Sequence, residues 1–114
     1  MLLDVRAAEE YAVSHLAGAH LAAGPAMAFA LVAGAPVDTP IVTYCSVGYR
    51  SAEVAASLQE AGYTQVRNLQ GSIFRWANEG RPVYRDTLQV DVVHPYGRPW
   101  SRFLAPERRA PFTP

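Results

Sequence analysis

Cysteine is nearly absent. Cys45 is the single one in 114 residues, which excludes an internal disulfide framework. It leaves a buried apolar thiol, an intermolecular bridge or a reactive nucleophile. Net charge is absent as well: ten basic and ten acidic side chains balance, so nothing predicts binding to nucleic acid or to an acidic membrane surface. Long apolar runs are lacking. Residues 21–37 come closest to a membrane span but are interrupted by Gly24, Pro25, Gly34 and Pro36. The N-terminus carries no basic stretch ahead of an apolar run, so no signal peptide is expected, and the cytoplasm, where a free thiol survives, is the expected compartment. Three scattered histidines and one cysteine give no metal-ligand spacing. No metal and no cofactor are expected, and there is no internal repeat.

What is present is enough for one domain with a core: half the residues are hydrophobic and 18% are charged. Leu2 to Arg6 has a buried-strand pattern. Residues 7–14 suggest a short helix, with Glu9 and Glu10 suited to its first turn. A brief strand is expected near 19–21, and Pro25 is a good first residue for a mostly buried helix over 26–33. A strand over 41–44 follows. Ser51 to Ala61 is the clearest helix, with Val54, Ala55 and Leu58 in an apolar stripe and Gly62 placed to end it. Gln65 to Leu69 reads as a strand and Gly71 to Asn78 as a helix. Strand, loop and helix in alternation imply a parallel sheet with helices on its faces.

Beyond residue 82 the character changes. The segment holds five of the nine prolines and a basic cluster at Arg102, Arg108 and Arg109. Leu88 to His94 is a candidate strand with Leu88, Val90 and Val92 on one face; everything after Pro95 reads as irregular, and its arginines as a solvated tail.

The chemistry concentrates in Ile41 to Ser51. A short apolar strand ends at Cys45, Gly48 permits a tight loop, Arg50 supplies a fixed charge, and a helix begins. Ligands of open parallel sheets collect at the carboxyl ends of the strands. There the amides of Ser46, Val47, Gly48, Tyr49 and Arg50 can form an anion-binding nest around the sulfur. The helix dipole adds to a field that favours a thiolate. Such a site suits a nucleophile that attacks a sulfur or phosphorus atom bearing negative charge. Asp4 and Arg6 end the first strand on the same side. They are candidates for the pocket wall, or for a structural ion pair that fixes the first loop. His15 and His20 read as structural, Phe74 and Trp76 as core.

Several of these stretches together resemble a known family. Leu3-Asp4-Val5-Arg6, Glu10-Tyr11, His15 to Ala19, Tyr44 to Ser51, Ala61-Gly62-Tyr63 and Asn68 to Ile73 with Trp76 resemble the single-domain rhodaneses, a sulfurtransferase family. The resemblance runs from Leu2 to about Pro82. It implies a rhodanese-like α/β fold with helices on both faces of a parallel sheet, a domain over residues 1–84 and a C-terminal extension over 85–114. It further implies that Cys45 is the catalytic residue. Cys45 would take a sulfane sulfur from a small anionic donor such as thiosulfate and pass it, as a persulfide, to cyanide, a thiol or a protein persulfide partner. Two other readings stay open: a partner-dependent persulfide carrier or regulatory module, and a cysteine-dependent phosphatase or arsenate reductase. Related phosphatases and arsenate reductases use C-x5-R, whereas Cys45 to Arg50 is C-x4-R, a smaller ring that favours sulfur.

The family pattern is broken at Ser14, where glycine is usual, and at Ala17, where proline is usual. The two-domain thiosulfate enzymes carry a basic residue near Glu10, which implies weaker handling of thiosulfate here. The family usually has a strand and helix ahead of Leu2. Without that first strand, the strand at 66–69 has an open edge, and segment 88–94 is the candidate to cover it.

Overall fold

The computed structural model describes residues 1–111. Four strands form one parallel sheet: β1 (Leu2–Asp4), β2 (His20–Leu21), β3 (Ile41–Tyr44) and β4 (Val66–Asn68), in the order β2-β1-β3-β4. β1 and β3 are central and aligned so that Leu3 faces Thr43 and Asp4 faces Tyr44. With neighbours on both sides they are buried nearly throughout, as parallel sheets covered on both faces must be.

The helices are α1 (Ala8–Val13), α2 (Pro25–Val32), α3 (Tyr49–Glu60) and α4 (Ser72–Asn78). On one face of the sheet, Ala28 and Val32 of α2 and Val54, Ala55 and Leu58 of α3 pack against Leu3, Val5 and Ile41. On the other, Ile73, Phe74 and Ala77 of α4 pack with Tyr44, Leu16 and Ala19. The helix over 49–60 starts two residues before the expected Ser51, directly after the cysteine loop. It ends in a paired cap, Gly62 N–H to the Gln59 carbonyl at 3.0 Å and Tyr63 N–H to the Leu58 carbonyl at 3.2 Å. One packing expectation fails. α2 is not mostly buried: Met27, Phe29 and Leu31 face outward, and only Ala28 and Val32, four residues apart on one stripe, are covered.

The tail differs most from its sequence reading. Segment 88–94 does not cover the edge of β4. Its first residues form β6 (Leu88–Val90), which pairs antiparallel with β5 (Val83–Arg85), a strand the sequence reading omits. A hairpin closed over two residues costs less chain entropy than a reach to the far edge. β4 remains an edge strand among the described residues, kept short and carrying exposed Arg67 and Asn68. Nor do Leu88, Val90 and Val92 form a buried face: Leu88 is exposed, and Val93 is the residue buried against the core.

After Pro95 the chain is ordered by contacts. It contains α5 (Arg98–Ser101) and a 3-10 turn at Pro106–Arg108. Val93 and Leu104 enter the cluster around Tyr44 and Phe74. Two of the supposedly solvated arginines act as pins. Arg108 donates to the carbonyls of Asp91, Ala77 and Arg81, at 2.6, 2.8 and 3.3 Å, and Arg109 donates to that of Leu104 at 2.8 Å. Residues 112–114, the end of the expected extension, lie outside the described residues. No helix among the described residues is long and apolar enough to cross a membrane.

Candidate active site

Cys45 stands at the carboxyl end of β3, and its backbone is held from the start of α4. The first amides of a helix have no partner inside it. Here Ile73 N–H donates to the carbonyl of Cys45 and Phe74 N–H to that of Ser46, both at 3.1 Å. The Cys45 N–H donates to Ser72 Oγ at 3.2 Å, and that hydroxyl donates onward to the Leu69 carbonyl at 3.1 Å. Ser72 does this with φ at +50° while fully buried. A left-handed serine costs of order 1–3 kcal/mol and persists only where its surroundings hold it.

The sulfur is met by donors from the following loop and from the first turn of α3. Gly48 N–H lies 3.1 Å from Sγ and Ser51 Oγ 3.4 Å. Gly48 has φ at +121°, and a Cβ there would make only ordinary contacts, so the dihedral and not the space demands glycine. Burial pushes the Cys45 thiol up. The Ser51 hydroxyl and amide, the Gly48 amide and the Arg50 charge outweigh it and hold the thiol below its ordinary value.

Arg50 does not point an open guanidinium at the sulfur. Its Nη1 and Nη2 bind the Glu10 carboxylate at 2.8 and 2.9 Å, and Nη2 also reaches Ser46 Oγ at 2.9 Å. Glu10 is itself tied down, accepting from Ala7 N–H at 2.9 Å. Burial pushes its carboxyl up, but the Arg50 hydrogen bonds, the Ala7 amide and the charges of Arg50 and Arg6 bring it below its usual range. On its other side the Arg50 guanidinium stacks over the Tyr96 ring, 4.2 Å from the centroid.

A cavity of about 70 Å³ remains above the sulfur, lined by Cys45, Ser46, Val47, Tyr49, Arg50, Tyr96 and Trp100. The sequence-predicted loop residues therefore come together: Gly48 faces Sγ through its amide and the others wall the cavity. Tyr49 is largely exposed and meets Trp100 edge-on. Asp4 and Arg6 do not join them. They form a fully buried pair, Arg6 Nε to Asp4 Oδ1 at 2.9 Å and Nη2 to Oδ2 at 2.7 Å, closed by the Tyr44 hydroxyl and the Ser14 carbonyl. Of the two alternatives for these residues, the structure has the ion pair that fixes the first loop. His15 is likewise internal, stacked on Tyr11. No group of three or more metal-ligating side chains converges among the described residues.

Sequence reasoning missed five contributors. Glu10 lies forty residues from Arg50, and its place in a first helical turn already explained its charge. Ser51 and Ser72 are unremarkable as types; only a positive φ marks Ser72. Tyr96 and Trp100 sit in an aperiodic, proline-rich tail.

A family model described as the Rhodanese-like domain matches residues 1–79. The chain belongs to the rhodanese-like domain family. Curated relatives include the probable adenylyltransferase/sulfurtransferase MoeZ of Mycobacterium tuberculosis, 37% identical over 82 residues, which are 71% of this chain and 21% of that protein. The thiosulfate sulfurtransferase GlpE of Stutzerimonas stutzeri is 30% identical over 82% of this chain and 78% of its own. Among solved structures, the thiosulfate sulfurtransferase of Pseudomonas aeruginosa superposes with a TM-score of 0.66 and 30% identity, covering 74% of this chain and 16% of that one. This rhodanese-like chain thus spans about a fifth of the MoeZ relative and most of GlpE. The family match ends at residue 79, so Tyr96 and Trp100, which wall the Cys45 cavity, lie outside it.

Proposed function

We propose that the protein is a rhodanese-type sulfurtransferase that carries a sulfane sulfur on Cys45. The observation that carries this reading is the thiol held below its ordinary value between the Gly48 amide and Ser51 at the start of α3. In the first half-reaction the Cys45 thiolate attacks the outer sulfur of thiosulfate. A Cys45–sulfur bond forms, the sulfur–sulfur bond of the donor breaks, and sulfite leaves with the electron pair. In the second, an acceptor thiolate or cyanide attacks the outer sulfur of the persulfide and Cys45 departs as thiolate, so no net oxidant is needed. The loop amides and the helix N-terminus stabilise the anionic sulfur in both states.

Two features argue against phosphate ester hydrolysis. The cavity above Sγ is about 70 Å³, and Arg50, the cation a phosphoryl group would need, is already engaged by Glu10 through two hydrogen bonds. That engagement also favours a second reading, a persulfide carrier loaded and unloaded by a protein partner, because it weakens the pull on a dianion such as thiosulfate.

Intact mass after incubation with thiosulfate, and separately with a protein persulfide donor, tests the proposal. Wild type gains one sulfur and Cys45→Ser gains none. Loading by the protein donor but not by thiosulfate selects the carrier reading; no gain from either donor overturns both.

A further inference from the structure

Beside the Cys45 cavity lies a larger one of about 330 Å³ that the transfer chemistry leaves unused. The two share Val47, Tyr49 and Trp100 as walls, so they adjoin. The larger is lined chiefly by apolar groups, with Phe74 as its buried floor and Phe103 as its outer side. Its volume lies in the range of small-molecule sites. The wall formed by Trp100 and Phe103 is fastened by Asn78, which donates to the Phe103 carbonyl at 2.9 Å and accepts from Ala105 N–H at 2.8 Å.

Among the described residues, Arg75 is the one charged side chain on its lining. A Cβ on Gly71 would fall 2.5 Å from Arg75 Cβ and Cδ, so the bare glycine lets the arginine stem lie across it. Arg75 and Arg81 share a single carboxylate, that of Glu79, at 3.3 and 3.1 Å. Two guanidinium groups against one carboxylate leave a net positive charge around Arg75, although Glu79 and Arg81 themselves lie off this cavity's lining.

We propose that this cavity is the acceptor subsite, and that it takes a low-molecular-weight thiol with an aromatic or branched apolar body and a carboxylate. The body lies between Phe74, Trp100 and Phe103, the carboxylate meets Arg75, and the thiolate reaches the Cys45 persulfide past Val47 and Trp100. It attacks the outer sulfur, a new sulfur–sulfur bond forms on the acceptor, and the bond to Cys45 Sγ breaks with its electron pair left on Cys45. The tail thereby sets acceptor specificity on a site whose nucleophile comes from the family domain. This assignment rests on the sulfur-transfer reading of Cys45.

The test uses the full chain, with Cys45 loaded as persulfide and discharged to 4-mercaptophenylacetate, to its neutral amide and to cyanide. Phe103→Ala lowers the second-order rate to 4-mercaptophenylacetate about tenfold relative to cyanide. Arg75→Gln lowers it about twofold to fivefold relative to the amide. Both residues are substantially exposed, so both variants fold. Proportional changes for all acceptors, or none, overturn the proposal. A separate arm titrates the unreactive thioether 4-(methylthio)phenylacetate into unloaded wild type by NMR. Saturable shifts at Trp100 that Phe103→Ala weakens support the subsite even if Cys45 never loads; their absence overturns it. Failure of loading alone strikes the sulfur-transfer reading.

Discussion

Arg6 and Arg50 each meet a carboxylate through two nitrogen–oxygen contacts, yet the pairs sit in different surroundings. Arg6 and Asp4 are both inaccessible to solvent. Their remaining partners are the Tyr44 hydroxyl and the Ser14 carbonyl, groups that join β1 and β3 to the loop after α1. Glu10 is almost as buried, but Arg50 is 32% exposed and borders the Cys45 cavity. Burial of both members makes a pair a clamp whose removal strands a charge in the core. Burial of only one makes it an adjustable field beside the Cys45 thiol. The contrast explains why the pair at the end of β1 belongs to the scaffold and the pair that joins α1 to the start of α3 belongs to the candidate site.

The largest effect should follow from breaking the closed pair. Arg6→Met leaves Asp4 without its cation in the core and is expected to cost about 3–5 kcal/mol, measured by urea denaturation at neutral pH. The molecules that remain folded should keep the wild-type alkylation midpoint of Cys45. If the variant loses less than about 1 kcal/mol, below what a buried pair costs to break, Arg6 is not a clamp and the contrast collapses.

Glu10→Gln probes the open pair and should act on both stability and the thiol. The charge-assisted bonds from Arg50 are worth about 1.5–3 kcal/mol together. The pH dependence has a definite sign. The folded carboxyl titrates below its unfolded value, so the stabilisation is fully present above the ordinary glutamate range near about 4.3. It is lost as pH falls through the folded value. Wild type and Glu10→Gln should therefore differ at pH 7 and converge in acid. Arg50, relieved of its counter-charge, should also lower the alkylation midpoint of Cys45. A stability loss with an unmoved midpoint would make Glu10–Arg50 a second clamp.

The same contrast shows what the sequence could reveal. β1, β3, α3 and α4 were legible because their apolar spacing and bounding glycines speak locally, and the Cys45–Arg50 loop because its parts lie within six residues. Glu10 was legible as a helix-start residue but not as the partner of Arg50, since nothing local encodes a contact across forty positions. The tail misled for a different reason. Leu88, Val90 and Val92 alternate like a sheet face, yet the two-residue turn before Leu88 returns the chain onto Val83–Arg85. The buried position then becomes Val93. Tyr96 and Trp100 have no periodicity to betray them; they are placed by Arg108, Arg109 and Asn78, each bonding backbone carbonyls.

The smallest effect sharpens the field at the sulfur without touching either ion pair. Among the influences that hold the Cys45 thiol down, the Ser51 hydroxyl leads and the Arg50 charge comes last. A short-range donor at 3.4 Å thus outweighs a cation whose charge is mostly spent on Glu10. Ser51→Ala removes that donor while keeping the Ser51 amide, Gly48 and the helix N-terminus. One hydrogen bond is worth about 1 kcal/mol net, and one pH unit is worth about 1.4 kcal/mol. The midpoint for iodoacetamide alkylation of Cys45 should therefore rise by somewhat less than about one unit, with the helix intact by circular dichroism. The sign follows from what is lost: the hydroxyl favours the thiolate, so its removal favours the thiol and shifts reactivity to higher pH. A midpoint that stays in place would transfer the lowering from Ser51 to the backbone amides and the helix dipole. The open ion pair would then be the main side-chain control over Cys45.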